Sequence, residues 1–285
     1  MNPRTKADIS EPISGDRLYQ KRAREALPIL VRQAKSESSI YYSDLANELG
    51  MPNPRNLNYV LASIGRVMEN LSAAWKIKVP AIQCLVVNKK TELPGEGIGG
   101  FLIKKEDFSK LSQVRRQEIV QATLSKIFTF PKWNEVLNFL NLQSVEFNSS
   151  SLNDKAAHFR GGESEAHLKL KRYVANNPLI VGLPTDFPCG KTEFSLPSGD
   201  AIDVSFCGGG YWIAAEVKSS ISPEQDIVRG LYQCIKYQAV MRAVQASEQR
   251  ERSARALLVI EGVFPRKLVP LKNMLRVQVV DKIKR

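Results

Sequence analysis

The first half of the chain carries the apolar spacing of α-helices. In segment 55–71 apolar residues recur at intervals of three and four and form one stripe, made of Leu57, Leu61, Ile64 and Met68. A shorter helix is predicted from Ser43, a good N-terminal cap, to Gly50, which ends it. A further helix is predicted over about 16–35, where Pro28 kinks or divides it. These periods predict a mostly α domain.

Two strand-like runs, 82–87 and 99–103, follow the helices and enclose a polar turn. Helix, turn, helix and a two-stranded hairpin is the layout of a winged helix, which predicts a winged-helix-like domain that contacts DNA. The second helix would present polar side chains outward and the hairpin tip two lysines: Arg55, Asn56, Asn58, Tyr59, Arg66, Lys89 and Lys90. Amides and arginines read base edges, whereas lysines bind phosphate. The alternative is a helical domain that packs against another protein.

The same stretch resembles the helical DNA-binding domain of alkyltransferase-like proteins. That family has a Tyr-x-x-(Leu/Ile)-Ala helix start, matched by Tyr42 to Ala46, and a Val-Pro…Val-Val strand, matched by Val79-Pro80 and Val86-Val87. Its reactive Pro-Cys-His-Arg motif is absent, because Cys84 has neither His nor Arg beside it. The resemblance therefore implies DNA contact and no alkyl transfer.

A polar linker divides the chain. Segment 148–154 reads Asn-Ser-Ser-Ser-Leu-Asn-Asp, the most linker-like composition in the sequence. Before it, 107–142 is predicted to form two helices that separate at Phe130-Pro131. We therefore predict two domains, a DNA-recognition domain over 1–150 and a second domain over 155–285.

The second half changes from helical spacing to short apolar runs typical of buried strands. Strands are predicted over 191–196, 199–206, 213–218, 256–261 and 276–280. A helix from Glu163 precedes them, a longer one over 224–246 crosses between the third and fourth strands, and a short one covers 265–275. Strands, a crossover helix and further strands predict an α/β fold, a mixed sheet flanked by helices.

Three ionisable residues interrupt two of these apolar strands. Asp203 lies on one, and Glu216 and Lys218 lie on the next, where residues two apart point to the same face. A glycine-rich turn, 207–211, allows a hairpin that brings Asp203 beside them. Burying these charges is costly unless they pair or bind metal, and a hard cation such as Mg²⁺ relieves the repulsion between close carboxylates. The alternative is a solvent-facing hairpin with a weak Glu–Lys pair.

This set resembles the PD-(D/E)XK nuclease superfamily. The superfamily pattern is a helix acid, an Asp on one strand and (Asp/Glu)-x-Lys on the next, matched here by Glu163, Asp203 and Glu216-Val217-Lys218. Ile202 stands where Pro usually precedes the Asp. Gln233 and Tyr237, on the following helix, match the Gln-x-x-x-Tyr motif of the RecB-like branch. The resemblance covers about 158–285 and implies a restriction-endonuclease-like domain.

The resemblance assigns a role to each of these residues. Mg²⁺, with Mn²⁺ expected to substitute, would be held by Asp203, Glu216, the backbone carbonyl of Val217 and Glu163. Glu163 is preferred because it lies on the apolar side of the predicted helix, and Glu165 is its reserve. Lys218 would position the attacking water or balance phosphate charge. Gln233 and Tyr237 would orient Lys218 or the DNA strand, and Arg229 would bind phosphate.

Composition and charge agree with a DNA-binding protein. The formal net charge is +12, and each side of residue 150 carries +6, as expected when both contact a polyanion. The four cysteines are scattered and form no C-x-x-C pair, which argues against a structural zinc site or a disulfide framework. Without a signal-peptide pattern or a membrane-length apolar run, a cytoplasmic location is expected.

Together these features predict a Mg²⁺-dependent endonuclease that hydrolyses phosphodiester bonds of double-stranded DNA. A restriction or phage-defence role and a homodimer are compatible with this domain pairing. One alternative is a DNA-binding or assembly protein that uses a nuclease-like fold without catalysis, and another is a nuclease that acts on RNA. The sequence leaves open the target sequence and whether cleavage starts at DNA ends.

Overall fold

The computed structural model describes four stretches of the 285-residue chain: 12–103, 108–145, 165–249 and 253–284. The chain divides into two compact units, Met1–Phe147 and Asn148–Arg285. The predicted mixed α/β class is confirmed, since the first unit is mainly helical and the second contains a five-stranded sheet. No helix in the described stretches is long and apolar enough to cross a bilayer.

The first unit is built of helices and one small two-stranded sheet. Its elements are, in chain order, α1 (Leu18–Lys35), β1 (Ile40–Tyr41), α2 (Tyr42–Glu48), α3 (Leu57–Trp75), β2 (Val86–Val87), α4 (Gly99–Leu102), α5 (Gln113–Phe128) and α6 (Trp133–Phe139). The long helices α1 and α3 pack against each other and supply most of a common apolar core. Pro28 is buried inside α1, which continues through it as one helix. The predicted separation near Phe130 is confirmed, because α5 ends and α6 begins on either side of it.

The predicted hairpin of the winged helix is wrong. Residues 82–85 form a 3-10 turn, and β2 pairs in parallel with β1 instead of with a following strand. The second predicted strand, 99–103, contains the short helix α4. A short apolar run does not distinguish a strand from a helical turn, and Gly99 favours the turn because it packs directly against Phe108. Lys89 and Lys90 therefore lie in a turn after β2 rather than at a hairpin tip.

The second unit is a five-stranded mixed sheet with helices on both faces. Its elements are α7 (Glu165–Asn176), β3 (Lys191–Ser195), β4 (Ala201–Gly208), β5 (Tyr211–Lys218), α8 (Glu224–Ser247), β6 (Ser253–Ile260), α9 (Val269–Leu275) and β7 (Gln278–Val280). The strand order is β3-β4-β5-β6-β7, in which β3 to β5 are antiparallel neighbours and β5 to β7 are parallel. The five strands and the crossover helix predicted for this half are confirmed, with small shifts at their ends.

Helices α7 and α8 cover opposite faces of this sheet. Side chains alternate along β5, so Ala215 and Val217 face one side and Glu216 and Lys218 the other. Apolar side chains of α7 share a core with Ala215 and Val217. On the other side Gly230 of α8 lies so close that a β-carbon there would be 3.1 Å from Lys218 Cε and 3.4 Å from Glu216 Cγ. The two charged side chains of β5 therefore lie beneath α8.

Candidate active site

The carboxylates of Asp203 and Glu216 come together where β4 and β5 stop pairing. The regular register runs to Val204↔Ala215, so Asp203 and Glu216 are the next residues along the two strands. Beyond this point a side chain accepts the backbone hydrogen bond: Val217 N–H donates to Asp203 Oδ2 over 2.8 Å. The two acidic side chains are 13% and 7% exposed. The strand pair therefore fixes both carboxylates in one buried place.

Two further side chains hold Glu216. Lys218, on the same face of β5, places Nζ 2.9 Å from Glu216 Oε1. The Tyr237 hydroxyl of α8 lies 3.0 Å from Glu216 Oε2 and 2.9 Å from the Ala201 carbonyl oxygen. Each oxygen of Glu216 therefore has a donor within reach, and Tyr237 connects α8 to the start of β4.

A second buried ammonium, which no motif identified, reaches Asp203. Lys171 of α7 is 6% exposed, and its Nζ lies 2.8 Å from Asp203 Oδ1 and also pairs with Glu193. His167, one turn earlier, places Nε2 3.8 Å from Asp203 Oδ2. Glu193 itself has a left-handed φ of 52°, which is uncommon for a residue with a side chain. Helical spacing could have indicated Lys171, because it follows His167 by four residues on the inward side of the helix.

The environment moves the pKa values of the two carboxyls in opposite directions. Burial raises the pKa of Glu216, the charge of Asp203 raises it further, and Lys218 offsets only part of this. Burial also acts to raise the pKa of Asp203, but hydrogen bonds from two α7 side chains and a backbone N–H lower it below its usual value. The pKa of Lys218 is raised although burial opposes this, because the neighbouring carboxylates outweigh burial. Lys218 therefore stays protonated beside a carboxyl that repulsion destabilises.

Within the described residues of this cluster, Asp203 and Glu216 are the carboxylates that could bind a hard divalent cation. Among the described residues, no group of three His, Cys, Asp or Glu side chains is arranged to hold a metal ion. Glu163, the predicted third acid, lies outside the described residues, and Glu165 is exposed and pairs with Lys169. The donor set still fits Mg²⁺, which keeps several waters and takes one or two protein carboxylates. The repulsion that Asp203 exerts on Glu216 is the kind that such a cation relieves.

Helix α8 places the other predicted residues around this cluster rather than in it. Gln233 is half-buried, one turn before Tyr237. Arg229 is 48% exposed and pairs with Asp226 over 2.9 Å. Asp226 is close enough to Lys218 to contribute to its raised pKa. Arg229 is therefore connected to the cluster through Asp226, which lies between it and Lys218.

In the first unit, most of the predicted DNA-facing side chains lie at the start of α3. Arg55, Asn56 and Asn58 are exposed there. Tyr59 is half-buried, and its ring centroid lies 6.2 Å from that of Tyr19 on α1. Asn56 and Tyr59 also line a surface recess of about 340 Å³. The start of α3 thus offers polar groups to a partner.

The remaining predicted DNA contacts of this unit differ from one another. Arg66 pairs with Glu69 over 3.4 Å, and its guanidinium carbon lies 5.7 Å from the centre of the Phe101 ring. Its charge is therefore partly used within the unit. Lys89 and Lys90 are exposed in the turn after β2, and Lys89 Nζ lies 6.0 Å from the centre of the Tyr41 ring.

Replacing Tyr237 with Phe is expected to destabilise the protein by about 1–3 kcal/mol, because Glu216 loses a hydrogen-bond donor in a buried place. Thermal unfolding followed by circular dichroism measures this loss. Tyr232→Phe is the matched control, since Tyr232 lies on the same helix and is 49% exposed. It is expected to leave the unfolding temperature unchanged, and equal effects of the two variants would contradict the role given to Tyr237.

Two polar groups lie side by side in the second unit: Lys171 contacts Asp203, and Lys218 and Tyr237 contact Glu216. The charge of Asp203 acts on both Glu216 and Lys218, so the two groups form one electrostatic cluster. Such a cluster is costly to bury, and groups with shifted pKa values are frequent at functional sites. That use has to be inferred from the chemistry of these groups, because no protein-family model, no curated protein and no solved structure matches the chain.

Proposed function

We propose that the chain is a Mg²⁺-dependent DNA endonuclease of the PD-(D/E)XK type, with the second unit as its catalytic domain. The observation that carries the proposal is the placement of three side chains. Asp203, which is 13% exposed, and Glu216, which is buried, lie on adjacent strands, and the Lys218 ammonium is 2.9 Å from Glu216. The mixed sheet between α7 and α8 agrees with the restriction-endonuclease-like domain that this motif implies. Stabilisation of the fold does not by itself account for these charges, because the cost of burying an ion pair offsets most of the attraction within it.

In this proposal the chain's own groups place charge around the metal and the phosphate. The Mg²⁺ ligands would be Asp203, Glu216, the carbonyl of Val217 and Glu163. When bound, the metal would supply a water that is nucleophilic near neutral pH and would neutralise phosphate charge. Val217 N–H orients Asp203, and Tyr237 holds Glu216. Lys218, kept protonated by its neighbours, would balance the negative charge that develops on the phosphate.

Two residues of α8 would act on the DNA strand instead. Arg229 is exposed and would contact a phosphate next to the one that is cut, exchanging its pairing with Asp226. Gln233 lies one turn before Tyr237 and would orient either the strand or Lys218. Both are therefore expected to affect DNA positioning more than the charge of the cluster.

Incubation with linear, circular, single-stranded and methylated DNA, with and without Mg²⁺, tests the proposed activity. Circular duplex DNA is expected to be nicked or linearised only when Mg²⁺ or Mn²⁺ is present. Degradation of linear DNA alone would indicate an exonuclease, and parallel incubation with RNA tests the RNA alternative. A difference between methylated and unmethylated DNA is the result expected for a restriction role in phage defence. Cleavage of none of these substrates would contradict the proposal.

We also propose that the first unit binds double-stranded DNA. The exposed polar side chains at the start of α3 and the two exposed lysines after β2 support this. The formal charge of that part of the chain, +6 for residues 1–150, supports it as well. Since the predicted hairpin does not form, the proposal depends on these side chains and not on a winged-helix shape.

The double variant Lys89→Ala, Lys90→Ala tests this surface in the full chain. If each lysine neutralises one phosphate, the slope of log K against log salt concentration becomes less steep by about 2. Fluorescence anisotropy of a labelled duplex at several salt concentrations measures the slope. Lys78→Ala, Lys126→Ala removes the same charge at exposed positions elsewhere on the unit. An equal change in both double variants would show that binding does not involve a defined surface.

A second candidate function is a DNA-binding or assembly protein that uses the same fold without catalysis. One observation favours it: each carboxylate already has an ammonium partner, Lys171 for Asp203 and Lys218 for Glu216. In such a protein these four side chains would be two structural ion pairs rather than a metal site. The response of the unfolding temperature to Mg²⁺ distinguishes the two candidates.

A further inference from the structure

Ile221 and Val263 are the two most exposed large apolar side chains in the part of the chain that the structure describes, at 69% and 68%. They follow two neighbouring parallel strands, β5 and β6, after the same number of residues. Lys218 of β5 pairs with Ile260 of β6. Ile221 comes three residues after Lys218, and Val263 comes three residues after Ile260. Parallel strands end at the same edge of a sheet. Both side chains therefore lie at the edge where β5 ends with Lys218.

Hydrogen bonds connect the two turns that carry these side chains. Glu261 N–H donates to the Lys218 carbonyl over 3.0 Å, and Ser220 N–H donates to a Glu261 carboxylate oxygen over 2.9 Å. Ser222 N–H closes the first turn on the Ser219 carbonyl over 3.0 Å. The turn with Ile221 is therefore fixed both to itself and to its neighbour.

The turn that carries Val263 is fixed on both sides. Lys282 N–H donates to the Gly262 carbonyl over 2.8 Å, and Phe264 N–H donates to Asp281 Oδ2 over 3.0 Å. An ordered backbone thus presents an aliphatic side chain to solvent. Burying such a side chain against a partner would strengthen binding by about tenfold or more.

The surroundings of the Val263 turn are basic. Four exposed cationic residues lie close to it along the chain or through its hydrogen bonds: Arg266, Lys267, Lys282 and Lys284. Three carboxylates lie nearby, so the four cations exceed them by one. Glu224 pairs with Lys267 over 2.8 Å, and Asp281 and Glu261 each accept a hydrogen bond from a backbone N–H. Aliphatic side chains insert at base steps of DNA while neighbouring cations contact phosphates. An apolar tip in basic surroundings therefore matches duplex DNA.

We propose that Ile221 and Val263 form an apolar wedge that packs against the base pairs next to the phosphate that Lys218 faces. The inference rests on the proposed nuclease function for the position of the DNA, and it concerns a contact that the chemical step does not need. The wedge would unstack one base step and hold the backbone at the end of β5. It would give the second unit an apolar contribution to duplex DNA affinity that does not depend on phosphate charge.

The double variant Ile221→Ser, Val263→Ser tests the wedge in the full chain. A mixed-sequence duplex that carries 2-aminopurine is titrated without divalent cations, since 2-aminopurine fluorescence rises when the base loses stacking. The wild type is expected to raise the fluorescence, whereas the double variant is expected to bind about tenfold more weakly and not to raise it. The slope of log K against log salt concentration is expected to stay the same, because no phosphate contact is removed.

Leu179→Ser is the matched control for the loss of an exposed aliphatic side chain. Leu179 is 64% exposed and lies on the 3-10 turn Pro178–Val181. The Val181 carbonyl accepts a hydrogen bond from Arg255, near the start of β6 and thus at the opposite end of that strand. The control is expected to match the wild type in affinity and in fluorescence.

Unchanged affinity and fluorescence in the double variant would overturn the wedge. A change in the sedimentation coefficient of the protein alone, with DNA binding intact, would assign the two side chains to a contact between copies and would overturn it as well. A wild type that gives the fluorescence signal but cuts no DNA with Mg²⁺ would retain the wedge and lose the nuclease. A wild type that does not bind DNA would overturn both.

Discussion

Lys218→Ala is expected to lower the rate of DNA cleavage by about 10²–10³-fold, because an ammonium in this position acts on charge that develops in the transition state. In the wild type its Nζ lies 2.9 Å from Glu216 Oε1, and the side chain is only 14% exposed. Water has little access to this place and cannot supply an equivalent charge. The initial rate of supercoiled plasmid cleavage at saturating Mg²⁺ measures the effect.

The variant is expected to stay folded at the assay temperature, although the loss of the ammonium beside Glu216 lowers its stability. Without the ammonium, the Glu216 carboxyl keeps Tyr237 as a hydrogen-bond donor and takes up a proton more readily, because its pKa is already raised. Circular dichroism and DNA affinity are therefore expected to remain close to those of the wild type. They show whether a slow variant is still folded and still binds its substrate.

Lys236→Ala is the matched control for this variant. Lys236 lies on α8, is 54% exposed and pairs with Asp200 over 2.7 Å rather than with either carboxylate of the cluster. Its removal is expected to leave the rate near that of the wild type. Cleavage by Lys218→Ala at the wild-type rate would rule out a catalytic role for the cluster.

The strands of the second unit could be predicted because burial on both faces leaves a plain apolar run. Residues 212–217 of β5 are all buried, and a central strand covered by helices on both sides has this composition. A charge inside such a run is conspicuous. Asp203, Glu216 and Lys218 could therefore be chosen from the sequence, and the structure brings these three together.

The arrangement of the first unit could not be predicted in the same way. Segment 99–103 is apolar over a length that suits a strand or one helical turn, and local periodicity does not decide between them. The decision depends on distant partners, since Val86–Val87 is paired with Ile40–Tyr41 and Gly99 packs against Phe108. Helix α3, in contrast, could be predicted from its sequence alone, because its apolar residues recur at helical spacing over several turns.

Lys171 was missed because its surroundings come from three separate elements. In the sequence it follows His167 by four residues on the inward side of the helix, but the basic segment around it is typical of a solvated helix surface. Only the packing of α7 over β3 and β4 places it between Asp203 and Glu193. The left-handed backbone of Glu193, which a β-strand pattern does not predict, is part of the same arrangement.

Millimolar Mg²⁺ is expected to raise the unfolding temperature of the wild type. A ligand that binds only the folded state adds about 2.7 kcal/mol at a hundred times its dissociation constant. The cation would relieve the repulsion between Asp203 and Glu216, but it has to compete with Lys171 for Asp203. Scanning calorimetry in EDTA and in increasing Mg²⁺ measures the response.

Lys171→Met is expected to increase that response. In EDTA the variant is expected to be less stable than the wild type by about 3 kcal/mol, since it leaves a buried carboxylate without its cation. Mg²⁺ is expected to restore more stability than it adds to the wild type, because it no longer displaces an ammonium. Lys169→Met, at a position on the same helix that is 62% exposed, is the control and should show neither effect. Asp203→Asn is expected to abolish the response to Mg²⁺.

A protein that uses this fold only as a platform gives a different pattern. If the pairs of Lys171 with Asp203 and of Lys218 with Glu216 are purely structural, Mg²⁺ leaves the unfolding temperature of the wild type unchanged. Both candidates predict that Lys171→Met is destabilised in EDTA, so destabilisation alone does not distinguish them. The difference lies in the wild type: a shift with Mg²⁺ in the unsubstituted protein that Asp203→Asn abolishes requires a metal site in the native cluster, and two purely structural ion pairs provide no such site.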